Sequence, residues 1–256
     1  MENYSFKILG KKYYFNNENE LAQIMQILSG DDNISELIHW NIIMQLNDKL
    51  LDIIKTHKGL LKLLKTLSRK NYMLLLLKIG DNLKDIIGTS KHLGEILARI
   101  PEEENKTVLI KRLRLKGLKL FIRDAHDLKN IFEFVYGESE TELLELLGED
   151  FIRETFTRTN EIIMTLHYLA NDNKDKLINM LGLNNVYKKI KTYKDLLVMF
   201  KGLSLKQATD LLKLYKKEEL VNFFLNDEEF HYFLLRLPHD KEKIFLNYLG
   251  TQVGQY

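Results

Sequence analysis

The sequence predicts an all-α protein: a right-handed α-solenoid of about six helical repeats, each 33–35 residues long, under a short N-terminal β-hairpin cap. Three observations predict it. Leucine fills 48 of 256 positions and proline only two, so strong helix formers abound and breakers are almost missing. Apolar residues recur in a register of about 34. Glycine, serine and proline punctuate successive copies at matching places. The boundaries that follow are a cap over 1–18, the repeats over 19–250 and a polar tail over 251–256.

The register is clearest from residue 162 onward. Ile162, Leu166, Leu169, Leu177, Ile178, Leu181, Val186 and Ile190 map, 34 residues on, to Leu196, Phe200, Leu203, Leu211, Leu212, Tyr215, Leu220 and Phe224. A further step reaches Phe230, Leu234, Leu237, Phe245, Leu246 and Leu249, and a step back reaches Leu128, Phe132, Val135, Leu143, Leu144, Leu147, Ile152 and Phe156. Two earlier copies start at Leu93 and Leu60, and a degenerate first unit runs from Leu21 to Ile54 with about six extra residues. With 45% apolar residues, chance would fill only about half of such positions.

Punctuation divides each copy. Ser68, Pro101, Ser204 and Pro238 follow the first helix and start the second, serine as a cap and proline in the first turn. Gly80, Gly148, Gly182 and Gly250 end the second helix as left-handed breaks, and a short third helix follows. One such unit cannot bury its own leucines, so neighbours must stack. An irregular helical bundle is the rival arrangement, but it needs no fixed register. At the N-terminus Tyr4–Leu9 alternates apolar and polar, Gly10-Lys11-Lys12 can turn, and Tyr13-Tyr14-Phe15 is β-prone. Residues 4–15 therefore read as a hairpin that covers the first unit, with Trp40 beneath it.

Chemistry is scarce by comparison. The absence of cysteine excludes disulfides, thiolate metal sites and cysteine nucleophiles. No phosphate loop, nucleophile elbow or His-Glu-x-x-His pair occurs. His57, His92 and His126 stand just before the first leucine of successive units, which reads as a repeat-boundary habit rather than a metal site. Acidic runs such as Glu102-Glu103-Glu104 fall at helix starts, where the helix dipole favours them. No apolar run reaches the length of a membrane span, and the N-terminus lacks a signal-peptide pattern, so a soluble chain is expected. The reading is a non-enzymatic protein with no catalytic residues, no metal and no cofactor. An active site assembled from dispersed residues is the reading that a single sequence leaves open.

Charge is segregated. Residues 55–123 carry a net +11, while 124–162 carry −8. The basic block holds Lys111, Arg112, Arg114, Lys116, Lys119 and Arg123, of which Lys116, Lys119 and Arg123 are expected on one helix face. In register Lys84, Lys119, Arg153 and Tyr187 are equivalent, so in a stack they form a row. Phe134 and Tyr168 make a second, aromatic row one position before the core. Lys84, Lys116, Lys119, Arg123, Phe134, Arg153 and Tyr168 are thus the candidate partner-binding residues. The acidic block beside them argues against a continuous nucleic-acid track, although nucleic acid on the basic face of 84–123 stays the alternative partner.

The pattern Leu-x-x-x-Leu-x-x-Leu-Pro, an apolar pair and Leu-Gly is carried by His92 to Pro101 and by Phe230 to Pro238 with Leu249-Gly250. It resembles α-helical repeats of secreted effector proteins from intracellular bacterial pathogens, over residues 57–250. The length equals that of tetratricopeptide repeats, but the Trp, Gly-Tyr and Ala-Phe positions of that family are not in place. The effector resemblance implies a scaffold or regulator that binds a protein partner, a host protein or another effector. It also implies residence in the bacterial cytoplasm or delivery into a host cell without a cleaved signal.

Overall fold

The computed structural model describes residues 3–29 and 32–250, so the tail expected at 251–256 lies outside the described residues. The chain is all-α with an N-terminal two-stranded hairpin. Strands β1 (Tyr4–Ile8) and β2 (Lys11–Phe15) lead into α1 (Glu18–Leu28), α2 (Asp32–Leu46), α3 (Leu50–Ile53), α4 (His57–Thr66), α5 (Arg69–Ile79) and α6 (Leu83–Ile87). Then come α7 (Ser90–Leu97), α8 (Glu103–Phe121), α9 (Ala125–Phe132), α10 (Glu138–Thr155), α11 (Thr159–Leu166) and α12 (Asn171–Leu181). The chain continues through α13 (Leu183–Lys189), α14 (Tyr193–Gly202), α15 (Leu205–Leu212), α16 (Lys217–Val221), α17 (Asp227–Arg236) and α18 (His239–Leu249). Among the described residues no helix is long and apolar enough to cross a membrane.

The hairpin pairs Tyr4 with Phe15 and Ile8 with Lys11. Its turn falls one residue earlier than expected, on Leu9 and Gly10, both at positive φ (48° and 83°). Two such residues give the twist that a two-residue hairpin turn requires, and this frees Lys11 and Lys12 for the strand. Phe6, Ile8 and Phe15 are buried, and β1 lies on α2. The Gln45 side chain on α2 both accepts from the Lys7 N–H (2.9 Å) and donates to the Lys7 carbonyl (2.8 Å), so it occupies part of the sheet edge. Trp40 does not lie beneath the cap. It is 46% exposed, because Ile42, Ile43 and Leu46 take the buried positions of α2.

Helices α4, α7, α9, α11, α14 and α17 start at residues 57, 90, 125, 159, 193 and 227, intervals of 33 to 35. Their register positions are buried: Leu60, Leu93, Leu128, Ile162 and Leu196 are each fully so, and Phe224 and Phe230 are half-buried. The capping chemistry recurs too. A carboxylate accepts the backbone N–H four residues before it at Asn16–Glu20 (2.8 Å), Thr157–Glu161 (2.7 Å), Lys191–Asp195 (3.1 Å) and Leu225–Glu229 (2.9 Å). Each one pairs the N–H of the residue just before the N-cap and so fixes the chain's entry into the helix. Prolines act differently from expectation: Pro238 is the N-cap of α18, and Pro101 precedes the N-cap Glu102 of α8, so neither sits inside a first turn.

The described chain divides into two compact units. One runs through Arg123 and includes Asn130–Leu146; the other holds Asp124–Lys129 and the chain from Leu147. Within the first, α1 packs on α4, α4 on α7, and α2 on α5. Within the second, α11 packs on α14, α14 on α17, and α15 on α18. Buried polar side chains tie neighbouring copies together in each unit. Asn71 donates to the Glu36 carbonyl (2.8 Å) and Gln207 to the Asp175 carbonyl (3.3 Å). Lys241, 34 positions after Gln207, donates to the carbonyls of Lys201 (2.9 Å) and Leu203 (2.6 Å). All three are the third residue of their helix, so one register position carries a donor into the preceding copy.

Candidate functional site: a basic cleft in the first unit

The site begins at a break in α5. Gly80 closes that helix at φ 58°, ψ −134°, and α6 then presents Lys84. Thirty-four residues on, Arg114 interrupts α8 with φ 53° and ψ 170°, after which the helix resumes with Lys116. Gly148 (φ 74°, ψ 164°) and Gly182 (φ 76°, ψ 130°) occupy the same register position in the next copies. The conformation of Arg114 belongs to the region that glycine alone adopts without strain. Arginine thus stands where positions 80, 148 and 182 have glycine, whereas the next register position, Lys216, has an ordinary φ of −76°.

Around this break lies a cleft of about 220 Å³. Its ionisable lining includes Lys84, Arg112, Arg114 and Lys116. Leu113 and Leu120 supply apolar wall, and Leu120 is 53% exposed at the rim. Glycine at 80 matters for shape as well as for φ. A Cβ there would stand 3.3 Å from Nη2 of Arg112, so the missing side chain leaves room for the guanidinium.

The candidate residues fare unequally. Lys84 and Lys116 meet in the cleft, and both are exposed. Lys119 is exposed on the next turn of α8 but does not line the cleft. Arg123 does not share a helix face with Lys116 and Lys119, because α8 ends at Phe121, Ile122 is extended, and Asp124 already caps α9 through the Asp127 N–H (2.9 Å). Arg153 belongs to the second unit, where Glu149 (2.6 Å) and Asp150 (4.0 Å) on its own helix offset its charge. Phe134 is half-buried and its ring lies against Gly94, where a Cβ would be 2.8 Å from Cδ2. Tyr168 is also half-buried, with Lys129 Nζ 5.5 Å from its ring centroid. These aromatics are in part packing residues rather than free anchors.

Sequence reasoning placed Arg112 and Arg114 in the basic block but left them out of the site. The signal was present in the register: residue 114 falls where glycine stands at 80, 148 and 182. Nearby cations are already matched, Lys111 with Glu142 (3.2 Å) and Lys106 with Glu103. Elsewhere in the unit His57 and His92 stack with ring centroids 3.4 Å apart, and His92 Nδ1 lies 2.7 Å from the Ile87 carbonyl. Burial, then the neighbouring His92, pushes the His57 pKa below its ordinary value, against the opposing pull of Glu95. An all-α chain with a cationic cleft is the class that fold and site define. No known protein family, curated protein or solved structure matches it.

Proposed function

We propose that the chain is a non-enzymatic helical-repeat scaffold or regulator, and that it holds an acidic segment of a protein partner at the basic cleft of its first unit. The observation that carries this reading is that Lys84, Arg114 and Lys116 line one cleft together with Arg112, in a stretch, 55–123, whose net charge is +11. A surplus of positive charge over this stretch attracts an anionic partner. The 33–35-residue helix spacing, the recurring caps and the inter-copy hydrogen bonds support a solenoid, an architecture whose extended surfaces suit partner binding. Because the Leu-Pro and Leu-Gly pattern resembles effector repeats, the partner proposed is a host protein or another effector. Nucleic acid is the less favoured partner. Lys111 and Arg153 are matched by carboxylates, which interrupts the positive track that counterion release rewards.

Affinity capture with the full chain and with Lys84→Glu/Lys116→Glu tests the reading, at about 50 mM and about 300 mM salt. A protein retained by the parent chain in low salt and lost in the variant supports it. Equal retention by both chains, or recovery of nucleic acid alone, overturns it.

A further inference from the structure

We propose that a second copy of this chain docks on the exposed face of α17, with the two α17 helices antiparallel about a twofold axis. The proposal concerns the second unit alone and is independent of the cleft in the first.

Helical spacing sets the face. Phe233 and Leu234 are buried, and the rings of Phe230 and Phe233 lie 5.1 Å and 5.2 Å from that of Phe224. Glu228, Tyr232 and Leu235 fall together on the opposite side, at i, i+4 and i+7, with Arg236 at its edge, and all four are exposed.

Residue type is the first argument. Leu235 is 85% exposed, and Leu225, just before the N-cap Asn226, is 86% exposed. The equivalents of Leu235 in the three preceding copies are Lys201, His167 and Glu133, and those of Leu225 are Lys191, Thr157 and Arg123. All six are exposed. Both columns thus carry polar side chains in three successive copies and turn to leucine in this one. Leucine at a water-facing position beside an exposed tyrosine gains free energy when a partner covers it.

Charge decides which partner. The face is acidic at its start, with Asp227 and Glu228, and basic at its end, where the Arg236 guanidinium stands 5.2 Å from the Tyr232 ring centroid. Among the described residues neither Glu228 nor Arg236 forms an ion pair. Glu228 and Arg236 lie four residues either side of Tyr232, so a twofold axis at Tyr232 sets each glutamate opposite the other copy's arginine. The face is therefore complementary to its own reverse, as a twofold contact requires. A partner of one charge sign would be attracted at one end and repelled at the other. Area sets the strength. A ten-residue helix is about 15 Å long and supplies only part of the ~800 Å² that each partner buries in a stable interface, so the pairing is reversible and in the micromolar range.

Sedimentation velocity of the full chain, from about 1 to about 200 µM, tests the proposal. The expected mass rises with concentration from 30.3 kDa toward twice that. Leu235→Lys, which installs the residue type found at 201, should weaken association at least about tenfold, as should Glu228→Arg or Arg236→Glu alone. An equimolar mixture of the two reversal variants should associate again, because every arginine then faces a glutamate; that rescue also shows that both variants fold. A chain that stays monomeric over the whole range overturns the proposal. So does a dimer indifferent to all three substitutions, or a pair of reversal variants that remains monomeric when mixed.

Discussion

Replacing Arg114 by glycine should make the protein more stable while weakening the cleft. Arg114 occupies a backbone region essentially reserved for glycine, and such strain costs on the order of 1–3 kcal/mol. Glycine gives back roughly 0.5–1 kcal/mol of that through the larger freedom of its unfolded chain. The arginine side chain is exposed, so little buried surface is lost, and one positive charge leaves the cleft. The net expectation is a gain of about 1 kcal/mol, or roughly 2–4 °C in Tm for a chain of this length. Urea unfolding followed by helical circular dichroism measures it, with the midpoint raised and the slope unchanged. The mirror experiment is Gly148→Ala. Its Cβ would meet nothing within 4 Å, so any loss reports backbone strain alone, again on the order of 1–3 kcal/mol. An Arg114→Gly protein less stable than its parent, or a neutral Gly148→Ala, would refute the argument that the register position belongs to glycine.

Three further outcomes follow from the packing. Gly94→Ala should destabilise by roughly 1–3 kcal/mol in thermal melts, since its Cβ would come within 2.5 Å of the Asn130 carbonyl oxygen and 2.8 Å of Phe134; an unchanged Tm would mean that α7 has room. Leu166→Ala and Leu212→Ala should each lose about 2–5 kcal/mol in urea titrations, because both side chains are almost fully buried and each would leave a core cavity. The His57 pKa is lower in the folded chain than its ordinary 6.5, so the unfolded chain binds more protons in between. Its stabilising contribution is therefore complete above pH 6.5 and is lost as pH falls through the folded value, and His57→Gln should flatten that part of the stability profile. A profile identical in the variant would show that the His57–His92 stack contributes nothing to acid sensitivity.

Reading the chain residue by residue was enough for the period, and the physical reason is burial. A position sealed from water must be apolar whatever its neighbours are, so Ile162, Leu196 and their equivalents announce themselves. Glycine at 80, 148 and 182 is equally local, since a positive φ constrains the residue that adopts it. The hairpin was legible from alternation, although the positive φ of Leu9 moved its turn. The candidate site was legible only as a surplus of charge. Whether a cation is offset depends on which carboxylate the fold brings near it, and ion pairs form across sequence distances that no local pattern records. Glu142 reaches Lys111 from 31 positions away, and Arg153 lost its place in the basic row to Glu149. The polar residues Asn71, Gln207 and Lys241, each third in its helix, likewise have no meaning until the preceding segment supplies their carbonyls. Sequence by itself determined which residues had to be buried and where helices had to break. Only the tertiary structure decided which charges were left to face one another, because that depends on distances between elements rather than on the residues within one.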